Sequence, residues 1–235
     1  MRIAAAVKYD IVAQFRHGFY YAYLIVSLLY AVLLMSLPDA LRPTADMLVI
    51  FSDPAVLGFY FIGGLVILEK DQNTFQSLFV TPFRSYEYIV AKVISLTVLT
   101  ILASLFIVLL TAPATFQPLW FVTGVVLSSV FFTLVGFWLA VRSRTVNGYL
   151  LSSPFYIIVL MLPAVEYLHI FSTPLFYLFP SKASLVLLAG AYRGLGLWEC
   201  AYAVITLLLW SAIAFVMAEK SFQRYIISPR GGDRS

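Results

Sequence analysis

Residues 93–141 read VISLTVLTILASLFIVLLTAPATFQPLWFVTGVVLSSVFFTLVGFWLAV, 49 positions without an Asp, Glu, Lys or Arg. About 20 apolar residues carry a helix across a hydrocarbon core ~30 Å thick. The stretch is too long for one crossing, and Pro113 and Pro118 divide it, because proline lacks the amide hydrogen a helix interior needs. It predicts two spans, Val93–Ala112 and Leu119–Val141. Three further charge-free runs flank it: Gly18–Pro38 (21 residues), Thr145–Val165 (21) and Cys200–Ala218 (19). They predict spans at 19–37, 146–165 and 200–217. A shorter run, Pro54–Leu68, has 15 residues and rises only ~22 Å at 1.5 Å per residue. That span is expected to continue through Glu69 and Lys70, over 54–70, with Ser52-Asp53-Pro54 as its cap and first turn. Pro174 and Pro180 interrupt the apolar segment Tyr167–Ala191, which reads as re-entrant or interfacial structure.

The fold class is therefore an all-α polytopic membrane protein with six transmembrane helices. The chain of 235 residues is 62% hydrophobic and 11% charged, with a mean hydropathy of +0.95. A soluble domain is near half apolar and a quarter charged, and a disordered chain is poor in apolar residues; both classes are excluded. The single cysteine, Cys200, permits no internal disulfide. With the N-terminus inside, twelve basic residues fall in cytoplasmic segments, and Arg42, Lys182 and Arg193 fall outside. That asymmetry places both termini in the cytoplasm and requires an even number of spans. It also accounts for the basic balance without nucleic acid. Residues 1–222 form one transmembrane domain, and 223–235 a cytoplasmic tail.

In this reading no ionisable side chain lies mid-span. Ion-coupled carriers need such a relay, so the pattern argues against ion coupling. Catalytic and metal-site residues are likewise not seen. Glu166 and His169 share a helix face at i, i+3, and read first as a polar cap at the external end of the fifth span. A substrate or ion role, or an intramembrane enzyme, is the remote alternative. No G-x-x-x-x-G-K-[ST] motif is present, so the chain has no P-loop of its own.

The loop after the second span reads Glu69-Lys70-Asp71-Gln72-Asn73-Thr74-Phe75-Gln76-Ser77-Leu78-Phe79-Val80-Thr81-Pro82. Thr74 can cap a short amphipathic helix carrying Phe75, Leu78 and Phe79, and Pro82 stops it. Its apolar side needs cover, either from the membrane and this chain's own helices or from a groove on a partner. At the N-terminus, Ile3, Val7, Ile11 and Phe15 recur every four residues, interrupted by Gln14. This predicts a helix lying on the inner leaflet with Arg2, Lys8 and Arg16 near phosphates. Gly124, Ser128, Gly136 and Ala140 on the fourth span permit close helix approach, within the subunit or at a dimer seam.

The Glu-Lys pair, the Thr, the aromatic/aliphatic helix, the Thr-Pro stop and the Tyr-containing run to Lys92 resemble the first cytoplasmic loop of type-2 ABC exporter permeases. Gln14–Tyr21, Gly63-Gly64 and the loop are similar to fluoroquinolone exporter permeases; Asn73 stands where many members have Gly. The resemblance covers most of the chain. It implies a membrane subunit exporting a hydrophobic or amphiphilic substrate across a prokaryotic cytoplasmic membrane. It implies pairing as a homodimer or heterodimer, and a separate ATP-binding cassette ATPase that holds ATP and Mg; this chain binds no cofactor. Glu69, Lys70, Thr74, Phe75, Gln76, Ser77, Leu78 and Phe79 would couple to the ATPase, with Glu69 or Lys70 pairing with Arg142 or Arg144. By the same analogy Phe59, Tyr60, Phe155 and Tyr156 would line the substrate path, where aromatic faces suit planar or cationic drugs. An ATP-independent carrier, channel or scaffold is the alternative.

Overall fold

A computed structural model describes residues 2–38, 41–72, 74–75, 84–111, 116–168 and 170–227. All regular elements among them are helical. In chain order they are α1 (Arg2–Arg16), α2 (Phe19–Met35), α3 (Arg42–Val56), a π-helical turn (Leu57–Phe61), α4 (Ile62–Asp71), α5 (Ser85–Thr111) and α6 (Pro118–Arg142). Then follow α7 (Val146–Met161), α8 (Ala164–Tyr167), a 3₁₀ turn (Pro174–Leu178), α9 (Pro180–Arg193), α10 (Leu197–Phe222) and a closing π turn (Gln223–Ile227).

Four helices are long and apolar enough to cross a membrane alone: Thr44–Asp71, Ser85–Thr111, Pro118–Arg142 and Leu197–Ile227. The pair α1–α2, bent by 67°, makes a fifth if counted as one broken span. Gly18 turns that corner at φ +78°, a left-handed conformation that costs glycine least. The 17 residues of α2 and 16 of α7 each rise only about 24–26 Å. Length therefore supports four or five crossings among the described residues, where the charge gaps predicted six.

The second span differs most from expectation. Its helix does not begin at Pro54: Ser52, Asp53 and Pro54 lie inside α3, one turn before the π turn. Pro54 contributes no amide hydrogen to the ladder, and the irregular turn follows it. The earlier start draws two carboxylates into the bundle. Asp46 and Asp53 are both buried, so the expectation of a charge-free span interior is overturned. The two sit seven residues apart on one face of α3. Asp46 faces Thr111 and Asp53 faces Ser104, themselves seven apart on α5.

Helix α6 is the axis of the bundle, and its small residues make the close contacts. A Cβ on Gly136 would lie 2.6 Å from the Phe59 carbonyl oxygen and 2.8 Å from the Phe59 Cα. A Cβ on Gly58 would lie 2.6 Å from Thr133 Oγ1. The π turn is thus seated on α6 by a glycine from each side. Gly124 faces Leu187 and Leu188 of α9, so this stripe packs within the subunit and is no dimer seam. Ser129 Oγ lies 3.2 Å from Thr97 Oγ1 and 3.3 Å from Thr100 Oγ1, binding α6 to α5 with the interhelical hydroxyl contacts common in membranes. The segment predicted as re-entrant or interfacial contains α9, buried at every position from Pro180 to Ala191. It is an interior helix rather than a surface one.

Gly136→Ala forces a methyl group into the Phe59 backbone, and overpacking of this kind costs about 1–3 kcal/mol. A melting temperature several degrees below the parent is expected in detergent. Gly64→Ala, where a Cβ meets nothing within 4 Å, should melt with the parent.

Candidate functional site

The polar residues that spoil the α1 stripe form one wall of a buried ionic cluster. Asp10 and Gln14, one turn apart, are the buried positions of α1, while Phe15 is exposed. The stripe of Ile3, Val7, Ile11 and Phe15 therefore does not define the packed face; α1 turns its polar side toward α5. Lys92 Nζ lies 2.7 Å from Asp10 Oδ1 and 2.5 Å from Glu69 Oε1. The Lys92 side chain is 4% exposed. Gln14 Nε2 donates to Ser95 Oγ at 3.0 Å, and the Tyr88 hydroxyl donates to Glu69 Oε2. One ammonium thus joins the N-terminal helix, the end of the second span and the start of α5. Two carboxylates share it and the Tyr88 ring lies 5.3 Å from it, so its desolvation is offset by paired contacts. The signal was present in sequence: polar residues at 10 and 14 on one helix, and at 88, 92 and 95 on another. Nothing local said that these two faces meet.

Glu69 therefore pairs with Lys92, not with Arg142 or Arg144. Lys70 Nζ donates to the Ser143 carbonyl at 3.3 Å, and the Arg142 guanidinium lies 4.9 Å from the Trp138 ring. The α4 terminus is joined to the turn before α7 through the Ser143 main-chain carbonyl.

An aromatic cluster adjoins the ionic one through Tyr88. Its ring stacks on Phe222 at 5.3 Å and lies 6.0 Å from Phe137. Phe75 sits 5.5 Å from both Tyr88 and Phe222. Phe75, expected to face a partner ATPase, is buried in this chain's own core, while its neighbour Thr74 is exposed. The loop is thereby connected to α5, α6 and the end of α10. Gln76, Ser77, Leu78 and Phe79 lie outside the described residues.

The four aromatics of the suggested path separate into two pairs. Phe59 is wholly buried, its carbonyl accepting from the Tyr149 hydroxyl at 2.5 Å. Tyr60 stands beside it, with ring centroids 5.8 Å apart. Phe155 and Tyr156 instead line an apolar cleft of about 480 Å³ between α6, α7 and α10, with Trp138 and Trp210. The Tyr156 ring meets Trp138 edge-on at 5.8 Å. The cleft falls within the usual range for a drug-sized ligand, and its walls are apolar and aromatic as such sites are. Glu166 bonds to Lys182 at 2.7 Å, and His169 lies outside the described residues.

Residues 1–230 match the model of the fluoroquinolones export permease protein family. Two relatives from Mycobacterium tuberculosis, one from strain CDC 1551 and one from strain H37Rv, are named fluoroquinolones export permease proteins. Each is 28% identical over 233 residues, covering 98% of both chains.

Removing the shared ammonium while leaving both carboxylates should be more damaging than removing either partner. Breaking a buried pair costs about 3–5 kcal/mol. Lys92→Met is expected to lower the melting temperature more than Asp10→Asn. The triple variant with Glu69→Gln added should regain much of the loss, because no charge is left unpaired. Equal melting of single and triple variants would show that the cluster contributes no electrostatic cohesion.

Proposed function

The chain belongs to the fluoroquinolones export permease family, and from that premise we propose that it is the membrane subunit of an ATP-driven drug exporter. Two copies, or this chain and a related permease, assemble with two ATP-binding cassette subunits that hold ATP and Mg. The chain crosses the cytoplasmic membrane six times, with both termini inside. The short α2 and α7 complete their crossings with flanking residues and local thinning. The substrate is an aromatic amphiphile, and the cleft bounded by Phe155, Tyr156, Trp138 and Trp210 offers it stacking surfaces.

The observation that carries the reading is the path from loop to bundle. Phe75 lies against Tyr88, and Tyr88 touches both the ionic cluster and the α10 terminus. A partner that displaces the loop differently in two nucleotide states would thereby shift α5 and α10 together. A ligand moves such an equilibrium only by its differential affinity for the two states. The exposed Thr74 and the segment 76–79 are the contacts proposed for the ATPase; Phe75 anchors them from within.

A second reading has its own support. Asp46 and Asp53, buried in the second span, are the kind of intramembrane carboxylates used by ion-coupled carriers. Inverted vesicles separate the two. The exporter takes up drug with ATP and the cassette subunit when the proton gradient is collapsed. Uptake driven by a pH gradient without the ATPase would replace the first reading with the second. In the ATP-driven system, Tyr88→Phe keeps the rings but removes the bond to Glu69. It should reduce drug moved per ATP hydrolysed several-fold, read by parallel uptake and phosphate-release assays.

A further inference from the structure

At the end of the bundle opposite the Lys92 cluster lies a cavity of about 600 Å³ with a different character. Its wall includes Glu166, Lys182, Arg193, Glu199, Tyr167 and Tyr177. Two anions and two cations face one space, so among the described residues the formal charge of the wall is zero.

The two ion pairs are not equivalent. Lys182 is buried, its side chain 5% exposed, and its Nζ is 2.7 Å from Glu166 Oε2. The same Nζ lies 5.0 Å from the Tyr167 ring centre and 5.2 Å from that of Tyr177. This pair is held by aromatic faces and by burial. Arg193 and Glu199 flank the turn between α9 and α10. They stand 3.6 Å apart with side chains 56% and 51% exposed. An exposed pair at that distance is worth little, and its partners exchange readily. Burial holds the Tyr167 hydroxyl pKa up at about 12, so the phenol stays neutral and can donate.

We propose that this cavity binds amphoteric aromatic compounds, whose carboxylate takes Arg193 and whose ammonium takes Glu199 while the ring system lies against Tyr167 and Tyr177. A zwitterion replaces one weak ion pair with two and leaves no charge unmatched. A purely anionic ligand leaves Glu199 unpaired, and a purely cationic one leaves Arg193 unpaired. The volume lies within the range of drug-sized sites. The placement deepens the drug-export reading and rests on it for the choice of ligand class.

The probes are norfloxacin, which carries both charges at neutral pH, its decarboxylated form and its N-acetylated form. Binding is read by drug fluorescence on the full chain in lipid nanodiscs. Norfloxacin should bind at least fivefold more tightly than either singly charged form. Arg193→Gln should weaken norfloxacin about tenfold and leave the decarboxylated form bound at least as tightly as before. Glu199→Gln should weaken norfloxacin equally and leave the N-acetylated form bound at least as tightly as before. The wild-type preference needs no variant, so a misfolded substitution cannot obscure it. Equal affinities for the three probes, or variants that shift all three alike or none, would overturn the proposal. Drug uptake by vesicles reports separately. Uptake without the binding preference leaves the export reading standing and removes this site. The preference without uptake does the reverse.

Discussion

Lys92 carries a charge into the interior of a helical bundle, and two other segments, with a residue of its own helix, are arranged around it. Asp10 arrives from α1, Glu69 from the end of the second span, and Tyr88 from one turn earlier on α5, bonding to Glu69. A buried ammonium left alone is costly, so the packing of α1 is tied to this neutralisation. The apolar stripe of α1 does not supply its buried positions, which are Asp10 and Gln14. The same α5 turn meets the aromatic cluster of Phe75, Phe137 and Phe222. Charge and ring packing therefore constrain one end of the molecule jointly.

Elsewhere the bundle is held by close backbone approach. Association in lipid gains little from the hydrophobic effect and depends on packing and polar contacts. Gly58 and Gly136 let the π turn meet α6, and Tyr149 closes over the Phe59 carbonyl. The buried α9 fills the space beside α6 and α10. Trp210 Nε1 and the Tyr202 hydroxyl donate to the Leu178 and Tyr177 carbonyls before it. An irregular backbone segment in a membrane protein is stable when neighbouring side chains satisfy its polar groups.

Much of the fold was legible because hydrocarbon imposes one strong rule, that long charge-free runs become helices. The helices α5, α6 and α10 overlap the third, fourth and sixth predicted spans, α5 beginning eight residues earlier and α10 ending five residues later. The second span was misjudged because Asp53-Pro54 looks like a helix start by local chemistry. In the folded chain Ser104 faces Asp53 from α5, and the helix runs through. The suggested aromatic path divided for a related reason. Phe155 and Tyr156 reach a cleft, whereas Phe59 is buried against Tyr149. Periodicity places a side chain on a helix face and does not say what that face meets.

The sequence by itself determined the solvent. With 26 charges gathered into short clusters, a water-soluble fold was excluded before any packing was considered. It also marked the loop at Glu69–Pro82 as more than a connector. Only the tertiary structure decided that Phe75 belongs to this chain's core, that Lys92 answers Asp10 across 82 residues, and that Glu166, Lys182, Arg193 and Glu199 share one cavity. Hydrophobicity and helix period are local properties, read along a few turns. Pairing of charges and rings is a property of which faces meet, and that is decided by the packing of the whole bundle.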